Sequence, residues 1–375
     1  MTAPGLEEML VDEIANLTGR RGEASIGGVT FAGGLREMRR VNLWSRVANR
    51  VVVRVDEFHA STFHELERKA KQVDWGRFVT SGQSVRFRVT CKKSKLYHSD
   101  AVAERLAAAV KAKVGGNKHV VTNADADDDE ESGDASPNVQ LFVVRIADDA
   151  CSISADSSGE LLHRRGYRQA VAKAPLRETI AAAMIIGSGW DMKAPFVDPM
   201  CGAGTIAIEA AMMARRIAPG LNRRFAFEKW PRHDAPAWSA ELDAARAEQL
   251  EKSPARIVAS DRDEGAIAAA IANAERAGVL TDVHYDVRSL SAADLPDEPC
   301  WIVTNPPYGM RLGESGPLRD LYAQLGKIVR VRGGNRVALL SADSELEDQM
   351  RMSLREVFRT SNGGIPVHLV TGEAG

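Results

Sequence analysis

From residue 176 onward the chain alternates short apolar runs with helix-length insertions. The runs are "APFVD" (194–198), "ARIVASD" (255–261), "DVHYD" (282–286), "CWIVTN" (300–305) and "RVALLSA" (336–342). Helical patterns such as "DEGAIAAAIANAERAG" (263–278) lie between most of them. Strands that recur only after a helix-length crossover pair in parallel. The pattern therefore predicts an α/β class, with a doubly wound, mostly parallel sheet covered on both faces. A helix is expected over 176–188, with Leu176, Ile180, Ala183, Met184 and Gly187 on one face. Ligands of such sheets bind outside the carboxyl ends of the strands, so those ends are where chemistry is expected.

The first 156 residues have a different texture. Residues 1–55 carry a helical stretch, "LEEMLVDEIANL", then glycine-rich turns and a strand within "RVANRVVVRVDEF". Residues 56–156 carry a helix-like "STFHELERKAKQVDW", an alternating strand "SVRFRVTCK", an alanine-rich helix "DAVAERLAAAVKAKV" and two more strands, "VQLFVVRIA" and "CSISAD". This is an α+β unit. A basic bridge, "LLHRRGYRQAVAKAPL" (161–176), leads into the alternating region, and the third division is 157–375.

Composition narrows the class. At 375 residues there is room for two or three domains. No run of about 18 apolar residues is present, and the acidic N-terminus lacks a signal-peptide core, so a cytoplasmic protein is expected. Cys91, Cys151, Cys201 and Cys300 stand far apart without a CxxC pair, so neither a disulfide framework nor a metal site is expected. The net charge of −2 includes seven acids in "DADDDEESGD" (125–134), which leaves +5 for the remainder. That acidic run cannot bury apolar surface and is expected to be a mobile loop.

Four strand ends carry Asp198, Asp261, Asp286 and Asn305. Any one alone reads as a capping or turn residue; four in succession point to a ligand. In "VDPMCGAGTIAIEA" a strand ends at Asp198, and Gly202-x-Gly204 with Thr205 opens a helix. Glycines there allow close backbone approach, and the helix N-terminus offers free N–H groups. The spacing differs from the GxGxxG of dinucleotide folds and suits a nucleoside carrying a small zwitterion. Asp198 would favour a cationic group, Asp261 the ribose hydroxyls, and Asp286 an adenine amino group. The ligand with all three features is S-adenosylmethionine, cradled by Asp198, Cys201, Gly202, Gly204, Thr205, Asp261, Asp286 and Asn305, with Cys201 itself reading as a packing residue of the turn.

Asn305-Pro306-Pro307-Tyr308 explains the last strand end. The prolines rigidify the backbone and remove two donors. The Asn305 side-chain oxygen and the Pro306 carbonyl can then accept both hydrogens of an exocyclic amine, and Tyr308 offers a face for a planar base. The catalysis expected of these four residues is positioning and desolvation.

Asp198 to Thr205 and Asn305 to Gly309 resemble motifs I and IV of class I Rossmann-like amino-methyltransferases. With "KKSKLYHSDAVAERL" (92–106), "LHRRGYRQAVAKAPLRETIAAAMI" (162–185) and "FEKWPRHDAPAW" (227–238), the chain resembles the THUMP-containing RNA guanine-N2 methyltransferases, and among them the N-terminal methyltransferase half of RlmL-type 23S rRNA enzymes. The resemblance implies a ferredoxin-like domain (1–55) and a THUMP domain (56–156) that grip RNA, then a Rossmann-like methyltransferase domain (157–375). It implies S-adenosylmethionine-dependent methylation of a guanosine N2, in 23S rRNA or an assembling large subunit, by a monomer. The acidic run departs from the family pattern. The long RlmL-type enzymes also continue into a second methyltransferase, which leaves room for relatives that modify tRNA.

Two basic, aromatic stretches are the candidates for RNA contact: Lys92, Lys93, Lys95 and Tyr97 with His98, and Arg164, Arg165, Tyr167 and Arg168 with His163 and Lys173. Trp230 and Trp238 read as packing residues in an irregular stretch at 219–254. The same amine geometry would serve DNA adenine N6 or protein glutamine, and the RNA-type N-terminal half argues against both. The rival from another class is a non-catalytic RNA-binding or ribosome-assembly factor.

Overall fold

The computed structural model describes residues 1–115, 119–121, 138–169, 176–308 and 315–375. The acidic run at 125–134, Lys173 and Gly309 lie outside the described residues. Helix α1 (Glu7–Thr18), the hairpin β1 (Glu23–Ser25) and β2 (Gly28–Thr30), and α2 (Leu35–Trp44) form the first unit. A five-stranded sheet follows, built from β3 (Val52–His59), β4 (Ser84–Lys92), β5 (His119–Val121), β6 (Val139–Ala147) and β7 (Ala150–Asp156) in the order β3-β7-β6-β4-β5. Helices α3 (Phe63–Ala70) and α4 (Ser99–Val114) complete this unit. Val85, Phe87 and Val89 alternate inward along β4, as period-2 patterning requires. Trp75 is fully buried edge-on to Phe142, with ring centres 5.1 Å apart. Burial of such a side chain contributes about 2–3 kcal/mol. The expected division at residue 55 falls inside β3. That strand pairs with β7 along its length, from Val52↔Asp156 to His59↔Ala150, so it belongs to the second unit.

The third unit opens with α5 (Glu178–Gly187), followed by β8 (Phe196–Asp198), α6 (Thr205–Ala214), α7 (Ala235–Ala247), β9 (Ile257–Asp261), α8 (Glu264–Ala277), β10 (Val283–Val287) and β11 (Trp301–Thr304). Then come α9 (Ser315–Arg330), β12 (Arg336–Ser341), α10 (Ser344–Asp348), β13 (Arg355–Asn362) and β14 (Ile365–Glu373). The seven strands β8 to β14 form a sheet in the order β10-β9-β8-β11-β12-β14-β13. The first five are parallel, and β14 runs antiparallel to β12 and β13. The chain winds outward from β8 to β10, then returns to place β11 on the other side of β8. That reversal is the topological switch point, the crevice where ligands of open α/β sheets bind.

Three features depart from the sequence expectations. Helix α5 is buried from Glu178 to Ile185 rather than along one face, because α6 and β12 both pack on it. The stretch at 219–254 contains α7, capped where Asp234 Oδ1 accepts from the Ala237 amide at 3.0 Å. The β13–β14 hairpin is an addition to the expected strands. Trp230 and Trp238 do pack: Trp238 stands edge-on to Phe227 at 5.1 Å, and Trp230 Nε1 donates to Gln140 Oε1 at 2.8 Å. Among the described residues no helix is long and apolar enough to cross a membrane.

Candidate active site

The parallel register carries the four strand-end residues to one rim. Asp198 closes β8 and Asp261 closes β9; Asp286 is the penultimate residue of β10, and Asn305 directly follows β11. Val287 pairs with Asp261, and β11 pairs with β8, so the four span adjacent strands on both sides of the switch point.

Asp198 is completely buried. Its Oδ1 accepts from Thr304 Oγ1 at 2.8 Å and from the Met200 amide at 3.3 Å, whereas Oδ2 is buried without a hydrogen-bond partner. Burial is the largest influence and pushes its pKa up to about 7; the Thr304 bond acts against it. Asp261 holds the glycine turn in place. Its Oδ2 accepts from the Gly202 amide and its Oδ1 from the Asp263 amide, each at 3.0 Å. Each carboxylate oxygen keeps a further lone pair. Gly204, at φ 82°, lies where an added Cβ would meet the Ala270 Cβ at 2.9 Å, so only glycine fits this crossing of α6 and α8. The Cys201 amide donates to the Ser260 carbonyl at 3.0 Å, and burial pushes its thiol pKa far up, so its side chain packs while its backbone shapes the turn. Thr205 opens α6 with its hydroxyl oxygen already taken by the Arg168 guanidinium at 2.9 Å. Asp286 Oδ2 lies 3.1 Å from His284 Nε2 and 3.4 Å from Arg288 Nε, yet neither contact is aligned as a hydrogen bond, and that oxygen is also buried without a partner.

The Asn305 side-chain oxygen is buried without a partner too. Pro306 is buried, Pro307 exposed, and the Tyr308 ring partly buried with its hydroxyl accepting from Asn362 Nδ2 at 2.8 Å. Sequence reasoning missed Tyr285, beside Asp286 on β10. Its hydroxyl is buried without a partner, and its pKa is raised by burial, with Cys201 and Asp198 adding to the effect.

The two basic stretches part ways. Lys92, Lys93, Lys95 and Tyr97 are exposed, Tyr97 at 68%, with its ring 4.1 Å from that of His98. Arg164 is partly exposed. Arg165, Tyr167 and Arg168, also expected at the RNA, point inward and are engaged with other groups of the chain. Arg165 lies 3.5 Å from the fully buried carboxylate of Glu209 on α6, and the Tyr167 hydroxyl donates to the same carboxylate at 3.2 Å. Arg46 completes the cluster at 3.9 Å. Arg168 bonds the Leu176 carbonyl at 2.5 Å and lies 3.4 Å from Glu178, whose pKa is pushed up to about 7 by burial against the pull of Arg168. A buried carboxylate requires paired cations, and these side chains supply them.

The rim thus offers a glycine turn and three buried acceptor oxygens without a hydrogen-bond partner, on Asp198, Asp286 and Asn305, of which the Asp286 oxygen also has His284 and Arg288 within ion-pair distance. That set of unbonded acceptors fits an adenosine bearing a cationic tail, which brings N–H donors for them and a positive charge for Asp198. The strand order, the switch-point glycine turn and the strand-end carboxylates define a Rossmann-like, S-adenosylmethionine-dependent methyltransferase. Residues 165–371 match the model of the RMKL-like methyltransferase domain, 1–52 that of the RlmL ferredoxin-like domain and 60–127 that of the THUMP domain. The chain belongs to the RMKL-like methyltransferase family. It is 31% identical over 99% of its length to slr0064 of Synechocystis sp., a protein named provisionally as an RNA methyltransferase, and covers 95% of it. It is 34% identical, over 98% of its length, to the ribosomal RNA large subunit methyltransferase K/L of Syntrophotalea carbinolica, and spans only 52% of that protein. The crystal structure of SMU.472, described provisionally as a methyltransferase and complexed with SAH, superposes with a TM-score of 0.85 at 28% identity, covering 100% of this chain and 97% of that one.

Proposed function

We propose that this protein methylates the exocyclic N2 of a guanosine in RNA, and that the RNA is 23S rRNA. The observation that carries the reading is the Asn305 side-chain oxygen, buried without a partner at the end of β11 beside the Asp198–Thr304 pair. A buried amide oxygen left unpaired costs about 1–3 kcal/mol, which an amine N–H from the acceptor base offsets. Asn305 Oδ1 and the Pro306 carbonyl each take one hydrogen of the amine, so the nitrogen lone pair is left directed at the methyl donor. Tyr308 stacks on the base and excludes water from one side. S-adenosylmethionine supplies an electrophilic methyl on a sulfonium; the chain's part is to hold, orient and desolvate, and no residue of the loop acts as a strong base. The cofactor groups are Asp198 for the cationic tail, the Cys201–Gly204 backbone, Asp261 for the ribose and Asp286 for the adenine amine. The THUMP match and the names of the relatives support an RNA acceptor. Lys92, Lys93, Lys95, Tyr97 and Arg164 form the RNA-contacting surface.

The test is nucleoside mass spectrometry on rRNA and tRNA fractions from a strain lacking the gene. Loss of N2-methylguanosine from 23S rRNA is expected. The same loss confined to tRNA moves the substrate to the second reading. No loss from either, together with no heat on calorimetric titration of the protein with S-adenosylmethionine, identifies an RNA-binding factor instead.

A further inference from the structure

Tyr308 does not hold its position alone. Its hydroxyl accepts a hydrogen bond from the Asn362 side-chain amide at 2.8 Å, across 54 residues of sequence. Asn362 is the last residue of β13, at the tip of the C-terminal hairpin, and is only 5% exposed. Ser341, the last residue of β12, pairs with His368 of β14, and β14 begins three residues earlier at Ile365. The hairpin tip therefore projects past the carboxyl rim of β12, the rim that carries the acceptor loop. The turn is made by Gly363 and Gly364, both left-handed at φ 57° and 77°, as a tight two-residue hairpin needs. Those glycines satisfy the turn by themselves, so its geometry does not explain an asparagine side chain folded inward. The other half of the amide, Oδ1, is buried without a partner. A leucine would bury there at lower cost if the position served packing alone, since an unpaired buried polar atom is destabilising.

We propose that Asn362 is a positioning residue of the methyl-transfer site: it pins the tip of the Tyr308 side chain in the place that receives the acceptor base. This deepens the reading of Tyr308 as the base platform and rests on it. The bond fixes the hydroxyl oxygen, which lies on the ring's long axis, and so restrains the swing of the ring away from Asn305. The hairpin is anchored by β14 against β12 in the sheet interior, so the ring is tied to a rigid element rather than to its own loop. Asn362 acts through Tyr308 and touches neither cofactor nor the reacting nitrogen.

The experiment is a double-mutant cycle on the full-length protein, with kcat, RNA affinity and S-adenosylmethionine affinity measured for each variant. Tyr308→Phe removes the bond without altering the hairpin, and Asn362→Ala removes it without altering the loop. Each should lower kcat by about five- to fiftyfold, the rate equivalent of one buried hydrogen bond, with cofactor affinity unchanged. Asn362→Ala placed on Tyr308→Phe should cost less than about a further twofold, because the two changes remove one shared interaction. Asn362→Gln, which keeps the amide, should recover part of the rate. Independent, multiplying losses, or a fall in cofactor affinity parallel to kcat, would assign Asn362 a general structural role and overturn the proposal. Tyr308→Ala separates the two levels: wild-type turnover in that variant overturns the platform reading itself, whereas a large loss there with Asn362→Ala neutral overturns only the inference about Asn362.

Discussion

Asp198 and Asn305 end neighbouring parallel strands and present a buried, unpartnered oxygen each, but the two are assigned different work. Asn305→Ala should lower kcat by about a hundredfold or more and leave cofactor affinity within about threefold, the outcome that the proposed contact of its amide with the base requires. Asp261→Ala should do the reverse, weakening cofactor binding through loss of the proposed ribose contact and through the slackened Gly202 turn. Calorimetric titration beside single-turnover rates separates the two, and a parallel fall in both quantities for Asn305→Ala would refute its role. Asp198 adds a pH dependence. A cationic ligand favours the ionised carboxyl, whose pKa in the free protein is about 7. Below that pH the proton must leave on binding, so affinity should fall by about tenfold per pH unit; above it, affinity should level off. The folded state keeps this proton up to about pH 7 while the unfolded chain releases it near the usual aspartate value of 3.8, so stability falls as pH rises through that window. Asp198→Asn should abolish the pH dependence of cofactor binding, weaken it, and raise stability above pH 7 by up to about 4 kcal/mol in urea titrations. These residues are legible because an apolar run that ends in a carboxylate or amide reads the same in one dimension as in three. Tyr285 and Asn362 are not, since an aromatic within a strand and an asparagine before two glycines both have ordinary packing and turn explanations.

The basic bridge between the two halves shows where sequence patterning stops. A run of cations and aromatics at 163–168 says nothing about which way each side chain turns. Glu209, buried in the middle of α6, decides it: a carboxylate with no exposure draws in Arg165, Arg46 and the Tyr167 hydroxyl. Arg165→Ala should therefore cost about 3–5 kcal/mol of stability by leaving Glu209 under-compensated, with the RNA affinity of the folded protein unchanged. Urea denaturation and filter binding check both halves of that statement, and intact stability with weakened RNA binding would return Arg165 to the RNA surface. The strands of the parallel sheet are readable from their apolar runs. The β13–β14 hairpin escapes that reading although Asn362-Gly363-Gly364 between β-branched runs is a recognised turn signal. Helix α7 hides behind its Asp234-Ala235-Pro236 start, a capping signal obscured by the surrounding prolines and charges.

Across the whole molecule, the N-terminal units are seated on the methyltransferase domain. Gly5, at φ 90°, lies where a Cβ would collide with the Arg359 carbonyl of β13, Arg39 of α2 bonds Glu241 of α7 at 2.8 Å, and the Gly220 amide donates to the Leu43 carbonyl at 2.9 Å. The unit that carries the exposed lysines at the end of β4 is tied to the same domain where Trp230 Nε1 donates to Gln140 Oε1 of β6 at 2.8 Å. Replacing Lys92, Lys93 and Lys95 together by alanine should weaken RNA binding at every sequence and leave stability and cofactor affinity unchanged. The slope of log affinity against log salt should fall by about 0.7–0.9 for each phosphate no longer neutralised. An unaltered salt slope would place the RNA elsewhere. The order of units is visible in the sequence through texture and resemblance; their mutual seating is not, because it depends on single glycines and cross-domain pairs that leave no periodic signal. The central claim concerns which atom receives the methyl group. Purified protein incubated with RNA from a strain lacking the gene and with methyl-labelled S-adenosylmethionine, followed by digestion and mass spectrometry, reads that atom directly. The label should appear in N2-methylguanosine; label in N6-methyladenosine, or protein-bound cofactor with no label in RNA, would contradict the account.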